Sequence, residues 1–172
     1  AIWNDLDKLL LEKWRTEDGR ALRCVATCID TGGHHGAMVY SFCNARRGRR
    51  VFPTKGASGI RPIWPKRASK ARNNNQVFVI GVDTAKDVIY ARLRITDPGP
   101  GYAHFPALDE FGAEYFKQLT SENVMTRYKE GRPYRVWVLK SGLRNEALDT
   151  FVLALAALRA TPARLDERYT KP

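Results

Sequence analysis

The segment Leu22-Arg23-Cys24-Val25-Ala26-Thr27-Cys28-Ile29-Asp30-Thr31-Gly32-Gly33 is rich in Val, Cys, Ile and Thr, then breaks off in an aspartate, a threonine and two glycines. Such a run, here 22–29, predicts a buried strand leaving a sheet through a flexible turn. Upstream, Ile2, Leu6, Leu9 and Leu10 recur at helical spacing with Trp14 four residues beyond, which predicts an amphipathic helix over 2–16 before Gly19. Downstream, Met38, Val39 and Phe42 predict a short helix over 36–45, and strands are expected at 50–54 and 76–82. Between these strands, 55–75 is aperiodic and rich in Gly, Pro, Ser, Asn and Lys/Arg, the composition of a long loop or partly ordered flap. Asp83 and Thr84 are candidate N-caps for a helix running to Arg94. After the break at Asp97-Pro98-Gly99-Pro100-Gly101, 111–125 reads as helix and 134–139 as strand. Asn145 is expected to cap a final helix through Arg159 that is apolar nearly all the way round. Strands alternating with helices predict an α/β sandwich: a central mixed sheet, partly parallel, flanked by helices.

The chain has 172 residues, enough for one sizeable core and too few for two ordinary domains, so a single domain over 1–172 is expected. Its longest apolar stretch, 147–158, is shorter than the roughly 20 residues a bilayer needs and is interrupted by Asp149 and Thr150. A membrane span is not expected. Cys24, Cys28 and Cys43 are odd in number and without paired spacing, which excludes a disulfide framework or a four-ligand zinc site made from them alone. Reduced thiols in a cytosolic compartment are expected instead. Because the chain opens on Ala1 rather than Met, it is expected to be a piece of something longer.

Charge is distributed unevenly. Lys and Arg number 29 against 18 Asp and Glu, a net charge of +11, and the 52 residues between Asp30 and Asp83 contain no carboxylate. That stretch carries Arg46, Arg47, Arg49, Arg50, Lys55, Arg61, Lys66, Arg67, Lys70 and Arg72. Clustered cations that neutralise phosphates release counterions and supply sequence-independent affinity for a polyanion. A solvated basic loop is the plain alternative. Lys86, after Asp83-Thr84-Ala85, is a further candidate for a phosphate contact.

Two carboxylates stand out. Asp30 ends a central strand before a Gly-Gly turn, where α/β proteins build their sites; a turn or cap aspartate is the alternative. Asp149 lies among Ala147, Leu148, Phe151, Val152 and Leu153 and is expected to face the core, where an isolated charge must be paired, protonated or metal-bound. A salt bridge to an arginine is the alternative there. Glu146, on the same side of the helix, could add a second ligand but better suits the first turn, and His34 and His35, which could hold water, phosphate or metal, read as polar loop residues. Two carboxylates within roughly 4 Å repel by about 4 kcal/mol at an effective dielectric near 20, which a divalent cation relieves. Oxygen ligands of this kind select Mg²⁺ or Mn²⁺, and a pair of such ions suits in-line phosphodiester cleavage.

Cys28-Ile29-Asp30-Thr31-Gly32-Gly33-His34-His35, Val39-Tyr40-Ser41-Phe42-Cys43, Lys55-Gly56, Gly81-Val82-Asp83-Thr84-Ala85-Lys86, Tyr115-Phe116-Lys117-Gln118-Leu119-Thr120-Ser121-Glu122 and Asn145-Glu146-Ala147-Leu148-Asp149 with Ala154-Leu155-Ala156-Ala157-Leu158 together resemble, in order, the nuclease domain of the lambda-like bacteriophage terminase large subunit. The resemblance implies an RNase H-like nuclease fold that cuts concatemeric double-stranded viral DNA during packaging in the host cytoplasm. It implies Mg²⁺ or Mn²⁺ held by three acids, with Asp30 at the end of the fourth strand and Asp149 on the late helix. The terminase small subunit and the portal are the implied partners of the full-length protein. In that pattern the first acid lies on a strand before the opening helix, a position this sequence does not include; Asp83 in its place is the disfavoured alternative, and without it the chain alone is expected to be a weak nuclease or inactive. Arg49, Arg50, Lys55, Arg61, Lys66, Arg67, Lys70, Arg72 and Lys86 are the expected nucleic-acid contacts. The rival from another class is a non-catalytic DNA-binding or docking module, in which Asp149 only makes a buried ion pair. A branched-DNA resolvase on the same fold fits the ordered motifs less well.

Overall fold

The computed structural model describes residues 2–161 and, within them, all but the side chain of Arg72. In chain order the elements are α1 (Ile2–Leu11), β1 (Lys13–Arg15), β2 (Ala21–Arg23), β3 (Thr27–Asp30), α2 (Gly36–Asn44), β4 (Val51–Ala57), β5 (Ser69–Lys70), β6 (Gln76–Gly81) and α3 (Val82–Leu93). They are followed by α4 (Ala113–Leu119), β7 (Glu122–Lys129), β8 (Arg132–Leu139) and α5 (Glu146–Ala160). The central sheet has the order β3-β4-β6-β5, with β3, β4 and β6 parallel and β5 antiparallel to β6. This is the mixed, largely parallel sheet that the alternating pattern predicts. Among the described residues β3 is paired on one side only, with β4.

Side chains alternate between the two faces along each strand, and two cores follow from that alternation. Ile29 and Val51 face one side, where Val39, Phe42 and Cys43 of α2 and Trp3, Leu6 and Leu10 of α1 close the cluster. Cys28 and Ile80 face the other, where Leu148, Val152, Leu155 and Ala156 of α5 pack with Ala85 and Ile89 of α3 and Leu119 of α4. Burial pushes the thiols of Cys28 and Cys43 up to about 12, so both stay protonated and unreactive. On the first face α1 is also fastened electrostatically. Arg46 donates to both oxygens of Asp7, at 2.7 and 2.9 Å, and Arg49 donates to the same carboxylate. These bonds hold Asp7 well below the usual carboxylate range.

Several boundaries differ from those read in the sequence. The opening helix stops at Leu11 instead of reaching 16, because Trp14 belongs to β1, which pairs with β2 in a hairpin. The hairpin turn is closed by Thr16 N–H to the Arg20 carbonyl and Gly19 N–H to the Thr16 carbonyl, so the i+4 spacing of Trp14 is coincidental. The strand expected over 22–29 is correspondingly divided: 21–23 belongs to the hairpin, and only Thr27–Asp30 enters the sheet. Neither Asp83 nor Thr84 caps α3, whose N-cap is Gly81. Instead the Asp83 carboxylate accepts from Gly59 N–H at 2.7 Å, and the Thr84 hydroxyl donates to the Arg61 carbonyl at 2.8 Å.

Those two bonds tie down the segment expected as a loop over 55–75. Its first residues extend β4 to Ala57, Ser69–Lys70 pairs with β6, and Trp64 stacks on Phe78 with ring centroids 4.6 Å apart. Gly81 is required where this flap crosses the end of β6: a Cβ there would lie 2.6 Å from the Arg61 carbonyl oxygen. The helix expected over 111–125 ends at Leu119. There the Thr120 and Ser121 hydroxyls turn back onto the Phe116 and Gln118 carbonyls, and 122–125 begins β7. β7 and β8 form a ribbon of their own, outside the central sheet.

Leu148 is 0% exposed at the centre of the second core. Its replacement by alanine is expected to destabilise the chain by about 3 kcal/mol, within the range of roughly 2 to 5 for buried leucines, measured by urea unfolding. Leu158→Ala, at a residue 38% exposed on the same helix, should cost much less.

Candidate active site

Asp30 is the last residue of β3, on the same face as Cys28 and therefore toward α5. The chain beyond it is anchored to β4: Thr31 donates through both N–H and hydroxyl to the Thr54 carbonyl, at 2.8 and 2.9 Å. In turn the buried Thr54 hydroxyl donates to the Ile29 carbonyl at 3.0 Å. The Asp30 carboxylate accepts from Gly32 N–H at 3.1 Å, and a Cβ at Gly32 would come within 2.9 Å of that same oxygen. Glycine at 32 thus lets the turn fold tightly over the carboxylate. His34 and His35 are exposed in the same turn.

Asp149 lies in the first turn of α5, which packs against β3, and Asp149 N–H donates to the Asn145 carbonyl at 2.9 Å. Contrary to the expectation that it faces the core, Asp149 is exposed; Leu148 and Val152 beside it take the buried positions. Its carboxyl is nonetheless raised above the ordinary value, first because its surroundings partly desolvate it. Lys86 opposes that shift, while the negative charges of Glu122, Glu146 and Asp30 reinforce it. The two aspartates therefore feel one another across the carboxyl end of β3, and among the described residues neither is held in a salt bridge, to arginine or to lysine. Asp83 follows β6, two strands from β3, and is engaged with Gly59, so it does not join them. Glu146 is exposed and pairs with Arg144 at 3.2 Å. No group of three or more His, Cys, Asp or Glu side chains suited to a metal ion occurs among the described residues.

Lys86, expected to reach phosphate, is only 8% exposed, and its ammonium donates to both oxygens of Glu122 at 2.8 and 2.7 Å. Asn145 donates its side-chain amide to the same carboxylate at 2.9 Å rather than capping α5, and Tyr90 donates its hydroxyl to the Glu122 carbonyl at 2.8 Å. This network borders Asp149, and sequence reasoning missed it. Lys86 and Glu122 are 36 residues apart, and no local pattern signals that they meet.

The basic tract does not make one patch. Arg46 and Arg49 are spent on Asp7, and Arg50, just before β4, stands at the amino end of the strands. Lys70 lies at the sheet edge opposite Gln76, also near the amino end of β6. Lys55 and Arg61 are exposed at the carboxyl end, the end of Asp30, and Lys66 and Arg67 are exposed along the flap. The Arg72 side chain lies outside the described residues. A cavity of about 340 Å³ between α1 and the starts of β3 and β4, lined by Leu10, Cys24, Arg49 and Val51, is at the other end of the sheet from both aspartates.

Residues 1–169 match the family model described as the endonuclease domain of terminase large subunit gpA. The chain is 37% identical to the terminase large subunit of Escherichia phage lambda, across 92% of this chain and 26% of that protein. It is 36% identical to the terminase large subunit of Enterobacteria phage P21, again across 92% of the chain and 26% of the relative. The chain therefore spans about a quarter of the length of these relatives. No solved structure matches it. No described helix is long and apolar enough to cross a membrane. Family model and relatives agree over nearly the whole sequence, and the chain belongs to the endonuclease-domain family of the phage terminase large subunit.

Proposed function

We propose that this domain is a Mg²⁺- or Mn²⁺-dependent endonuclease of RNase H-like fold that cuts concatemeric double-stranded viral DNA during genome packaging in the host cytoplasm. The observation that carries the reading is that α5, with Asp149 in its first turn, packs against β3, which Asp30 closes, with neither aspartate neutralised by a salt bridge among the described residues. The three parallel strands with helices on both faces support the fold assignment, as does an acid closing β3, which is paired on one side only among the described residues.

Asp30 and Asp149 would hold the metal, both through hard carboxylate oxygens that suit these cations. When bound, divalent ions in such a site neutralise phosphate charge and activate water for in-line attack. The protein's own residues do the positioning. Gly32 N–H holds the Asp30 carboxylate and Thr31 anchors the chain beyond it to β4, while Glu122 engages the Lys86 ammonium with both oxygens and leaves the Asp149 carboxylate without a salt bridge. Lys55 and Arg61, exposed at the same end of the sheet, are the cations proposed to receive the DNA backbone. Two acids hold a cation loosely, so the chain alone is expected to be a weak nuclease. The small subunit and the portal are the proposed partners of the full-length protein.

In a protein that carries this sequence and cleaves DNA, Asp30→Asn and Asp149→Asn are each expected to cut the rate of Mn²⁺-dependent plasmid nicking by about 100-fold or more. Even outer partners of metal ligands cost about 10- to 100-fold when removed. Near-normal cutting by a folded variant would remove that residue from the site and favour the non-catalytic DNA-binding module.

Asp149 also has a predicted effect on stability. A carboxyl whose folded-state value is raised binds its proton more tightly in the fold, so it supports folding in acid and opposes it once pH rises past that value. Without metal at neutral pH, Asp149→Asn should therefore raise the melting temperature slightly, an effect kept small by solvent screening of an exposed group. The gain should disappear on acidification below the ordinary carboxylate range. A lower melting temperature at neutral pH would contradict this electrostatic account.

For the basic residues, Lys55→Gln with Arg61→Gln should flatten the plot of log affinity for duplex against log salt by about 1.8, near 0.9 for each phosphate that is no longer neutralised. Arg50→Gln, at the far end of the strands, should leave that slope unchanged.

A further inference from the structure

The β7–β8 ribbon projects from the Lys86–Glu122 network, and apart from Glu122 every residue of β7 is exposed. Eight residues in each strand give it a length of about 25 Å. Its register separates two faces, since directly opposed residues share a side. One face carries Glu122, Val124, Trp137 and Arg135 and turns to α3, where Trp137 packs on Tyr90 and Arg135 pairs with Asp87. The opposite face places Arg127 across from Tyr134 and Lys129 across from Arg132. Three cations and a tyrosine 46% exposed thus share the outer end of that face without a carboxylate among them. Glu130 belongs to the turn beyond, and none of the three cations makes an ion pair among the described residues.

We propose that this outer face of the ribbon is a second contact for duplex DNA, gripping phosphates through Arg127, Lys129 and Arg132 while Tyr134 lies against the backbone between them. The inference rests on the reading of the domain as a DNA-cutting enzyme, and it adds an element separate from the basic tract at 46–72. Its charge is complementary to a polyanion. The ribbon's base adjoins the network that borders Asp149, and its cations lie five to seven residues beyond that base, roughly 17 to 24 Å along the strands, a span that one duplex can bridge. Contacts of this kind set affinity and orientation without reading sequence.

The test measures equilibrium binding of a short labelled duplex across a salt series without divalent metal, comparing the chain with Arg127→Gln/Lys129→Gln/Arg132→Gln. The slope of log affinity against log salt is expected to flatten by about 2.7 in the triple variant. An unchanged slope would overturn the proposal and return the ribbon to a protein-facing or purely solvated role. A second arm replaces Tyr134 alone with a photo-crosslinking amino acid and keeps every charge. Crosslinks to the duplex are expected, and their absence while the chain binds DNA would also overturn the proposal. The nuclease reading fails separately, by undiminished cutting with Asp149→Asn, whatever the ribbon does.

Discussion

The buried pair between Lys86 and Glu122 is the contact on which the site's arrangement depends. It joins α3 to the base of the ribbon, and through Asn145 it reaches the first turn of α5. Both charges are nearly inaccessible, at 8% and 3% exposure, and the described residues leave no buried side-chain polar atom without a hydrogen-bond partner. Removing one member of such a pair typically costs about 3 to 5 kcal/mol, because the other charge is left buried and alone. The pair also determines what Asp149 lacks. With its ammonium claimed by both oxygens of one carboxylate, Lys86 lowers the cost of the Asp149 charge only at a distance, and the net effect on Asp149 remains upward.

A second constraint is the parity of β3. Because Ile29 fills the core under α1 and α2, Asp30 is turned to the face that α5 covers. A slip of one residue would send the carboxylate to the wrong side. The bonds among Thr31, Thr54 and Ile29 hold that register where the chain leaves the sheet. Fold and site therefore share the same few residues.

Much of this is legible in the sequence. The strand ending in Asp30, the helix after it, β6, and the late apolar helix each carry a periodicity or composition strong enough to read. Of the two hairpins only β8 is legible, as the strand expected over 134–139; Trp14 and Met125 sit at spacings that continue the preceding helices, and only the turns at 16–20 and 120–121 reveal the break. The apolar neighbours of Asp149 single it out but mislead about its orientation, since a helix rich in Leu and Ala still has a rim. Arg46, Arg49, Lys55 and Arg61 look alike in a basic run. Folding separates them, because Asp7 from 39 residues upstream claims Arg46 and also takes Arg49. Pairings across such separations leave no local trace.

The central claim is that Asp30 and Asp149 form one site for a hard divalent cation. Anomalous diffraction from crystals soaked in Mn²⁺ tests it most directly. The account predicts a peak between the two carboxylates, about 2.1 to 2.2 Å from an oxygen of each, with Lys86 still bound to Glu122. Absence of a peak there at saturating Mn²⁺, with the Lys86 ammonium swung onto Asp149, would contradict it.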